Sequence, residues 1–159
     1  MNDPTEEGLW RPLRLLLARM DDDIARLYAG TDIKPTYVME LLRLHFRGPM
    51  TIRELAESVK RTHSALSQKV AAMKAAGLVE VAQGPDARSK LVSLTPAATA
   101  MVAKLAAEWR ATEAASAELE AELPYPLSRV VADMEEALSR RSFHDRIAAR
   151  LADDPAWQR

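Results

Sequence analysis

The sequence predicts a mainly α-helical fold with one small β-hairpin, and three observations lead to this prediction. Apolar residues recur at helical spacing through most of the chain. Prolines and glycines divide it into segments of helix length. Only residues 78–94 contain two short β-type runs around a polar turn. The chain has 159 residues, 48% of them hydrophobic, which is enough for a well-formed core.

The composition argues against several chemistries. The chain has no cysteine, so disulfides, thiolate catalysis and thiol redox sensing are excluded. The start of the chain is acidic and polar, and no run approaches the ~20 apolar residues of a membrane span, so we expect a cytoplasmic protein. His45, His63 and His144 lack metal-ligand spacing, and no nucleophile or phosphate-loop motif is present. We therefore expect neither an enzyme nor a bound metal or other cofactor.

Two helices are predicted before the β-type runs. Residues 1–8 are expected to be disordered. The first helix runs from about Leu9 or Pro12 to Tyr28, before Gly30, and the second runs from Pro35 to Gly48-Pro49. Met50 is predicted to add a minimal strand beside the hairpin. The apolar stripe of the first helix is Leu13, Leu16, Leu17, Met20, Ile24 and Leu27.

A short helix, a tight turn and a second helix follow. Thr51 and Glu54 can form a capping box at the first of these helices. Thr62 is a good N-cap for the second, and Gly77 is a natural C′ residue at its end.

The predicted hairpin has strands at 78–82 and 91–94. After it, Pro96 opens a long alanine-rich helix that ends near 119 or 122. A last helix starts near Pro126, and its continuation past Arg141 either extends or kinks through Leu151. Helix, turn, helix and hairpin together form a winged helix-turn-helix lobe, about residues 36–95. The helices at about 9–30 and 96–152 would form a helical dimerisation frame, so that residues 9–159 make a single domain.

The outer face of the helix that starts after Thr62 suits contact with DNA. Recognition helices present their first turns to base edges in the major groove. Gln68 could form paired hydrogen bonds with adenine, while Ser64 and Ser67 could contact bases or phosphates. Residues 60–90 contain six cationic and two acidic residues, whereas the whole chain has a net charge of −1, so the positive charge is concentrated here. The alternative is an ordinary exposed helix.

The hairpin tip carries the sharpest signal. Asp86-Ala87-Arg88, followed by Leu94-Thr95, resembles the wing signature of the MarR family of bacterial transcription regulators. Residues 55–79 fit that family's helix-turn-helix without a gap. The resemblance implies that Arg88 enters the minor groove and that Asp86 braces it, and a narrow minor groove does attract arginine. A surface ion pair at a turn is the alternative.

The chain departs from the family pattern at two positions. Lys60 stands where the family often has glycine, and because lysine gains nothing from a left-handed conformation, we expect a differently shaped turn. Gln68 stands where the family often has arginine, which leaves the preferred DNA sequence open. The predicted DNA-binding residues are Lys60, Arg61, Thr62, His63, Ser64, Ala65, Ser67, Gln68, Lys69, Asp86, Arg88 and Lys90.

The resemblance also implies a homodimer and a ligand. The first and last helices of two subunits would intertwine and place two recognition helices on a pseudo-palindrome; a monomer with its ends folded onto the lobe is the alternative. A small aromatic or lipophilic effector would bind between lobe and frame. His45 is alternatively a satisfied core histidine, and apolar wall residues are more often core than ligand contacts. The predicted wall of the pocket is Trp10, Leu13, Leu17, Tyr37, Leu41, His45 and Trp109.

The sequence thus predicts a ligand-responsive repressor that binds double-stranded DNA sequence-specifically as a homodimer. The alternative function is a winged-helix module that binds another protein without direct DNA binding. Steeply salt-dependent DNA binding distinguishes the two.

Overall fold

The computed structural model describes residues 3, 5–6, 8–84, 86 and 89–157. Within these residues it contains seven α-helices and one three-stranded antiparallel sheet. The chain divides into two compact units, Met1–Thr112 and Glu113–Arg159. The predicted disordered segment 1–8 lies partly outside the described residues; those of it that are described belong to no helix or strand.

The two predicted helices at the start of the first unit are α1, Trp10–Arg26, which ends two residues before its predicted end, and α2, Pro35–Arg47. Pro35 occupies the first turn of α2, where its missing N–H leaves no bond unmade. No residue of α1 is buried in the single chain, and most of its apolar stripe is exposed to solvent. The helix joins the core mainly through Ile24 and through Tyr28, which follows its end.

Strand β1, Met50–Thr51, leads into α3, Ile52–Ser58. The capping box is present: the Thr51 hydroxyl accepts from the Glu54 N–H at 3.2 Å, and the Glu54 carboxylate accepts from the Thr51 N–H at 2.8 Å. The hydrogen bond from the Thr51 backbone, followed by the bond from its side chain, lowers the pKa of Glu54.

Helix α4 spans His63–Ala75 and has both predicted ends. The Thr62 hydroxyl accepts from the Ala65 N–H at 3.2 Å. Gly77 has a φ of 70°, and beyond it the Leu78 N–H donates to the Met73 carbonyl at 2.9 Å. This is the Schellman closure that a glycine at C′ permits.

The hairpin strands are β2, Val79–Gln83, and β3, Lys90–Leu94, each one residue from its predicted bounds. The sheet order is β1-β3-β2, with Met50 paired to Val92 and Val79 paired to Leu94. The Thr95 hydroxyl donates to the Gly77 carbonyl at 2.8 Å and accepts from the Ala98 N–H at 3.1 Å. Thr95 therefore joins the end of the hairpin to the end of α4 and caps the next helix.

The core of the first unit lies among α2, α3, α4, the sheet and the start of helix α5, Pro96–Ala121. Helix α4 packs into this core through three buried residues, Leu66, Val70 and Met73. Truncation of one such leucine to alanine costs about 2–5 kcal/mol, so the orientation of α4 is fixed by the core. The largest fully buried apolar side chains are Leu41, Leu55, Leu66, Met73 and Leu105.

The second unit holds the end of α5, helix α6, Leu127–Arg140, and helix α7, Phe143–Leu151. The continuation past Arg141 is a separate helix, because Ser142 caps α7 by accepting from the Asp145 N–H at 3.0 Å. Neither α6 nor α7 has a buried residue in the single chain. Their exposed large apolar residues are Leu127, Val130, Val131, Met134, Leu138, Phe143 and Ile147. No helix among the described residues is long and apolar enough to cross a membrane.

Candidate nucleic-acid interface

The turn between α3 and α4 adopts a left-handed conformation at Lys60, whose φ is 54°. Lys60 N–H donates to the Glu57 carbonyl at 3.4 Å, and Arg61 N–H donates to the Ala56 carbonyl at 3.0 Å. These are the two bonds of a Schellman motif. The expectation of a differently shaped turn is wrong, because the closing hydrogen bonds offset the ~1–2 kcal/mol that a non-glycine residue loses in this conformation.

The N-terminal part of α4 presents the predicted polar face. Because Leu66, Val70 and Met73 turn inward, the opposite side of the helix faces solvent. No acidic residue lies in the helix, and its free N-terminal amides add positive potential that favours a phosphate. Thr62 is the N-cap residue of this helix. Ser67 is half-buried, and the exposed predicted residues here are Arg61, Thr62, His63, Ser64, Ala65 and Gln68.

Lys69 does not join this face as a phosphate contact. Its ammonium donates to the Glu40 carboxylate at 2.7 Å and to the Thr36 carbonyl at 2.8 Å, and its side chain is only 19% exposed. The predicted role of Lys69 therefore needs correction: it joins α4 to the first turns of α2. The helical spacing already indicated that Lys69 is partly buried. Position 69 lies three residues after Leu66 and four before Met73, on the edge of the buried stripe.

The hairpin supplies Lys90, which is exposed and pairs in register with Gln83. The Gln83 side-chain amide donates to the Asp86 carbonyl at 3.1 Å, and the Ser89 N–H donates to the same carbonyl at 3.2 Å. A Cβ at Gly84 would lie 2.9 Å from the Ser89 Cβ and 3.0 Å from its backbone carbon, so a larger residue would force this turn to shift.

Residues 85, 87 and 88 lie outside the described part of the chain. Insertion of Arg88 into a minor groove, braced by Asp86, therefore stays a prediction from the sequence.

The predicted wall residues of the effector pocket differ in their exposure on the single chain. Tyr37 and Leu41 are core residues, exposed by 5% and 1%. His45 is exposed, and its ring meets that of Phe46 edge to face at 5.0 Å, so it is not a core histidine. The other predicted wall residues are also exposed on the single chain: Trp10, Leu13, Leu17 and Trp109.

A different cavity, of about 660 Å³, lies within the first unit where α1, α2, α4 and α5 meet. Of the predicted wall it keeps only Trp109. Glu40 is part of its lining, is 2% exposed, and was missed by sequence reasoning. A signal was available, because Glu40 interrupts the stripe of Tyr37, Leu41 and Leu44, and a carboxylate at a core position needs a partner.

Comparison with solved structures identifies the fold. MepR of S. aureus in complex with DNA superimposes with a TM-score of 0.66 at 18% identity, over 84% of this chain and 99% of MepR. MosR of M. tuberculosis in complex with DNA gives 0.64 at 24% identity, over 84% of this chain and 98% of MosR. BpsR of Bordetella bronchiseptica, whose DNA binding is regulated by 6-hydroxynicotinic acid, gives 0.64 at 18% identity, over 87% and 98%.

The chain has the winged helix-turn-helix fold of MarR-family transcription regulators. The family described as HVO_A0114 matches residues 37–106, which include most of α2 and the whole of α3, α4 and the sheet. None of the curated proteins matches the chain.

Proposed function

We propose that this protein is a transcription regulator that binds double-stranded DNA sequence-specifically. The observation that carries the proposal is the exposed face of α4, where Ser64 and Gln68 stand beside the cation Arg61 with no acidic residue in the helix. The buried stripe fixes this face outward, so the helix can enter a major groove without rearrangement. A protein with this function acts in the cytoplasm, in contact with the DNA.

Relatives of the same fold support this function. MepR and MosR were both crystallised with DNA, and MosR is described as a transcriptional regulator. Direct readout needs uncharged hydrogen-bonding side chains at base edges and cations at phosphates. Gln68 and Ser64 supply the first, and Lys60, Arg61 and Lys90 supply the second.

The protein acts as a homodimer in this proposal. In the single chain, α1 exposes Leu13 and Leu17, and α6 exposes Val131 and Met134. Amphipathic helices are stable in water only when such stripes are covered, and exposed apolar surface of this kind is typical of an interface. A two-fold pair would present two α4 helices to successive major grooves, ~10 base pairs apart, on a pseudo-palindrome.

The regulator is also a ligand-responsive repressor in this proposal. BpsR provides the precedent of a regulator with this fold whose DNA binding responds to a small molecule. The cavity of about 660 Å³ in the first unit falls within the ~300–1,000 Å³ of small-molecule sites.

Footprinting on the DNA that flanks the protein's own gene tests the proposal, with selection from random DNA beside it. We expect a protected pseudo-palindrome and an affinity that falls steeply with salt. A protein that selects no motif and protects no site even at low salt would contradict DNA binding and favour the protein-binding alternative.

A further inference from the structure

The exposed face of α4 carries one long polar side chain surrounded by short ones. Gln68 is exposed and lies on the side of the helix away from its three buried residues. Residues three and four positions away are its neighbours on a helix surface. These neighbours are all exposed and short: Ser64, Ala65, Ala71 and Ala72. Gln68 therefore reaches furthest from this face, and its short neighbours let the helix approach another surface closely.

The polar groups of this face make no hydrogen bonds within the protein. No described residue bonds to the side-chain amide of Gln68 or to the hydroxyl of Ser64. On other helices, by contrast, the hydroxyls of Ser58 and Ser139 donate to the carbonyl three residues earlier, at 2.8 and 2.7 Å. Gln68 and Ser64 can therefore bond to an external partner without breaking a bond inside the protein.

The direction of Gln68 is set by the residue that follows it. The Lys69 ammonium donates to the Glu40 carboxylate at 2.7 Å and to the Thr36 carbonyl at 2.8 Å, both on α2. These bonds and the buried stripe of α4 hold the helix against rotation about its axis. The Gln68 side chain therefore leaves the protein from a fixed position, as a base-reading residue must.

The chemistry of the Gln68 side chain selects one base. A primary amide carries donor hydrogens beside an acceptor oxygen. In the major groove adenine offers an acceptor, N7, beside a donor, the N6 amino group. Guanine offers two acceptors, cytosine one donor, and thymine one acceptor and a methyl group. Only adenine can accept and donate one bond each with the same amide, while guanine would place its O6 against the amide oxygen.

We propose that Gln68 reads one adenine in each half-site of the operator, with its NH2 group donating to N7 and its carbonyl accepting from the N6 amino group. Ala65 lies one turn nearer the N-terminus of α4, the end that meets base edges. Its methyl group packs against the 5-methyl of a thymine within one base-pair step of that adenine. The readout rests on the proposed function, and it specifies the base pair that the protein recognises.

Selection from random DNA with two arginine variants tests the adenine contact. Arginine pairs with O6 and N7 of guanine, so Gln68→Arg should replace adenine by guanine at one position of each half-site and leave the other positions unchanged. Lys74→Arg places a guanidinium on the exposed surface of the same helix and is the matched control, which should return the parent motif. A parent motif in Gln68→Arg, or the same switch in Lys74→Arg, would overturn the proposal.

A modified base tests the contact on the parent chain itself. 7-Deazaadenine lacks the N7 acceptor and still pairs with thymine. Placed at the selected adenine, it should weaken parent binding roughly two- to tenfold, as loss of one hydrogen bond does, and should leave the affinity of Gln68→Ala unchanged. No loss with the parent, or an equal loss with both chains, would refute the readout. This measurement decides the question even if thermal unfolding shows that Gln68→Arg does not fold.

Uracil in place of thymine tests the Ala65 contact, because it removes only the 5-methyl group. One of the thymines within one step of the adenine should then lose about two- to fourfold in affinity, the scale of one buried methyl group. The loss should be smaller in Ala65→Gly, which lacks the partner methyl. Full parent affinity at every uracil, or an undiminished loss in Ala65→Gly, would refute this contact.

The selection also separates the readout from the proposed function. If the chain selects no motif, DNA binding by sequence fails, and the readout fails with it. A selected motif that has no adenine sensitive to position 68 would refute the readout alone and leave the regulator as proposed.

Discussion

Replacement of Lys69 by methionine separates the two roles that a cation on α4 can have. The sequence suggested a phosphate contact, whereas the structure puts the ammonium on Glu40 and on the Thr36 carbonyl. Methionine keeps most of the aliphatic stem and removes the charge. If the structure is right, the substitution lowers the stability of the fold and leaves the number of phosphate contacts unchanged.

The magnitude follows from the burial of the pair. Removing one partner of a buried ion pair costs about 3–5 kcal/mol, because the other charge is left without compensation. Lys69 is 19% exposed and Glu40 only 2%, so solvent screens the pair slightly and we expect the lower end, about 3 kcal/mol. That loss is a large part of the free energy of unfolding of a typical domain, which is ~5–15 kcal/mol. Combining Lys69→Met with Glu40→Gln should recover part of the loss, since the buried charge is then absent.

Urea unfolding and a salt titration of DNA binding measure the two effects. Arg53→Met is the stability control, because Arg53 forms an exposed ion pair with Glu57 that contributes at most about 1 kcal/mol. Arg61→Met is the electrostatic control and should flatten the salt slope by about one unit. All unfolding curves are compared at one protein concentration, because dimerisation makes stability depend on it.

If Lys69→Met unfolds like the parent and flattens the salt slope of DNA binding as Arg61→Met does, the structural role of the Lys69–Glu40 pair is refuted. That result would mean that the lysine faces phosphate in solution and that Glu40 is satisfied in another way.

Three further substitutions have expected outcomes. Arg88→Ala should weaken binding to a cognate site by about 1–3 kcal/mol and leave urea unfolding unchanged; equal affinity at equal salt would contradict the wing contact. Gln68→Ala should change the motif returned by selection from random DNA, and an unchanged motif would exclude it from base readout. Lys60→Gly should stabilise the fold by about 1 kcal/mol through relief of the left-handed conformation, whereas a loss of stability would show that lysine is not strained there.

Elements fixed by local chemistry were predictable from the sequence. The capping box at Thr51, the proline that opens α2 and the glycine that ends α4 each depend on residues within one or two turns. The separate helix α7 could have been predicted in the same way, because Ser142 and Asp145 have the spacing of an N-cap. The lysine at the α3–α4 turn was misjudged, since the closing hydrogen bonds from the neighbouring turn outweigh its intrinsic preference.

Features that depend on distant residues were not predictable. Glu40 and Lys69 are separated by 29 residues, and no local rule pairs them. The Tyr28 hydroxyl donates to Glu108 at 2.7 Å across 80 residues, and burial, followed by this bond, raises the pKa of Tyr28. The burial of Tyr37 and Leu41 was missed for the same reason, because helical periodicity shows that these residues share a face but not which element covers it.

Sedimentation of the purified chain, free and mixed with its footprinted site, tests the central claim most directly. We predict a dimer at micromolar concentration and a complex of two chains per site, with half-sites ~10 base pairs apart. Insertion of five base pairs between the half-sites should abolish tight binding, because the second recognition helix would then face the wrong side of the duplex. A chain that is monomeric and binds the palindrome tightly as one copy, whatever the spacing, would contradict the account.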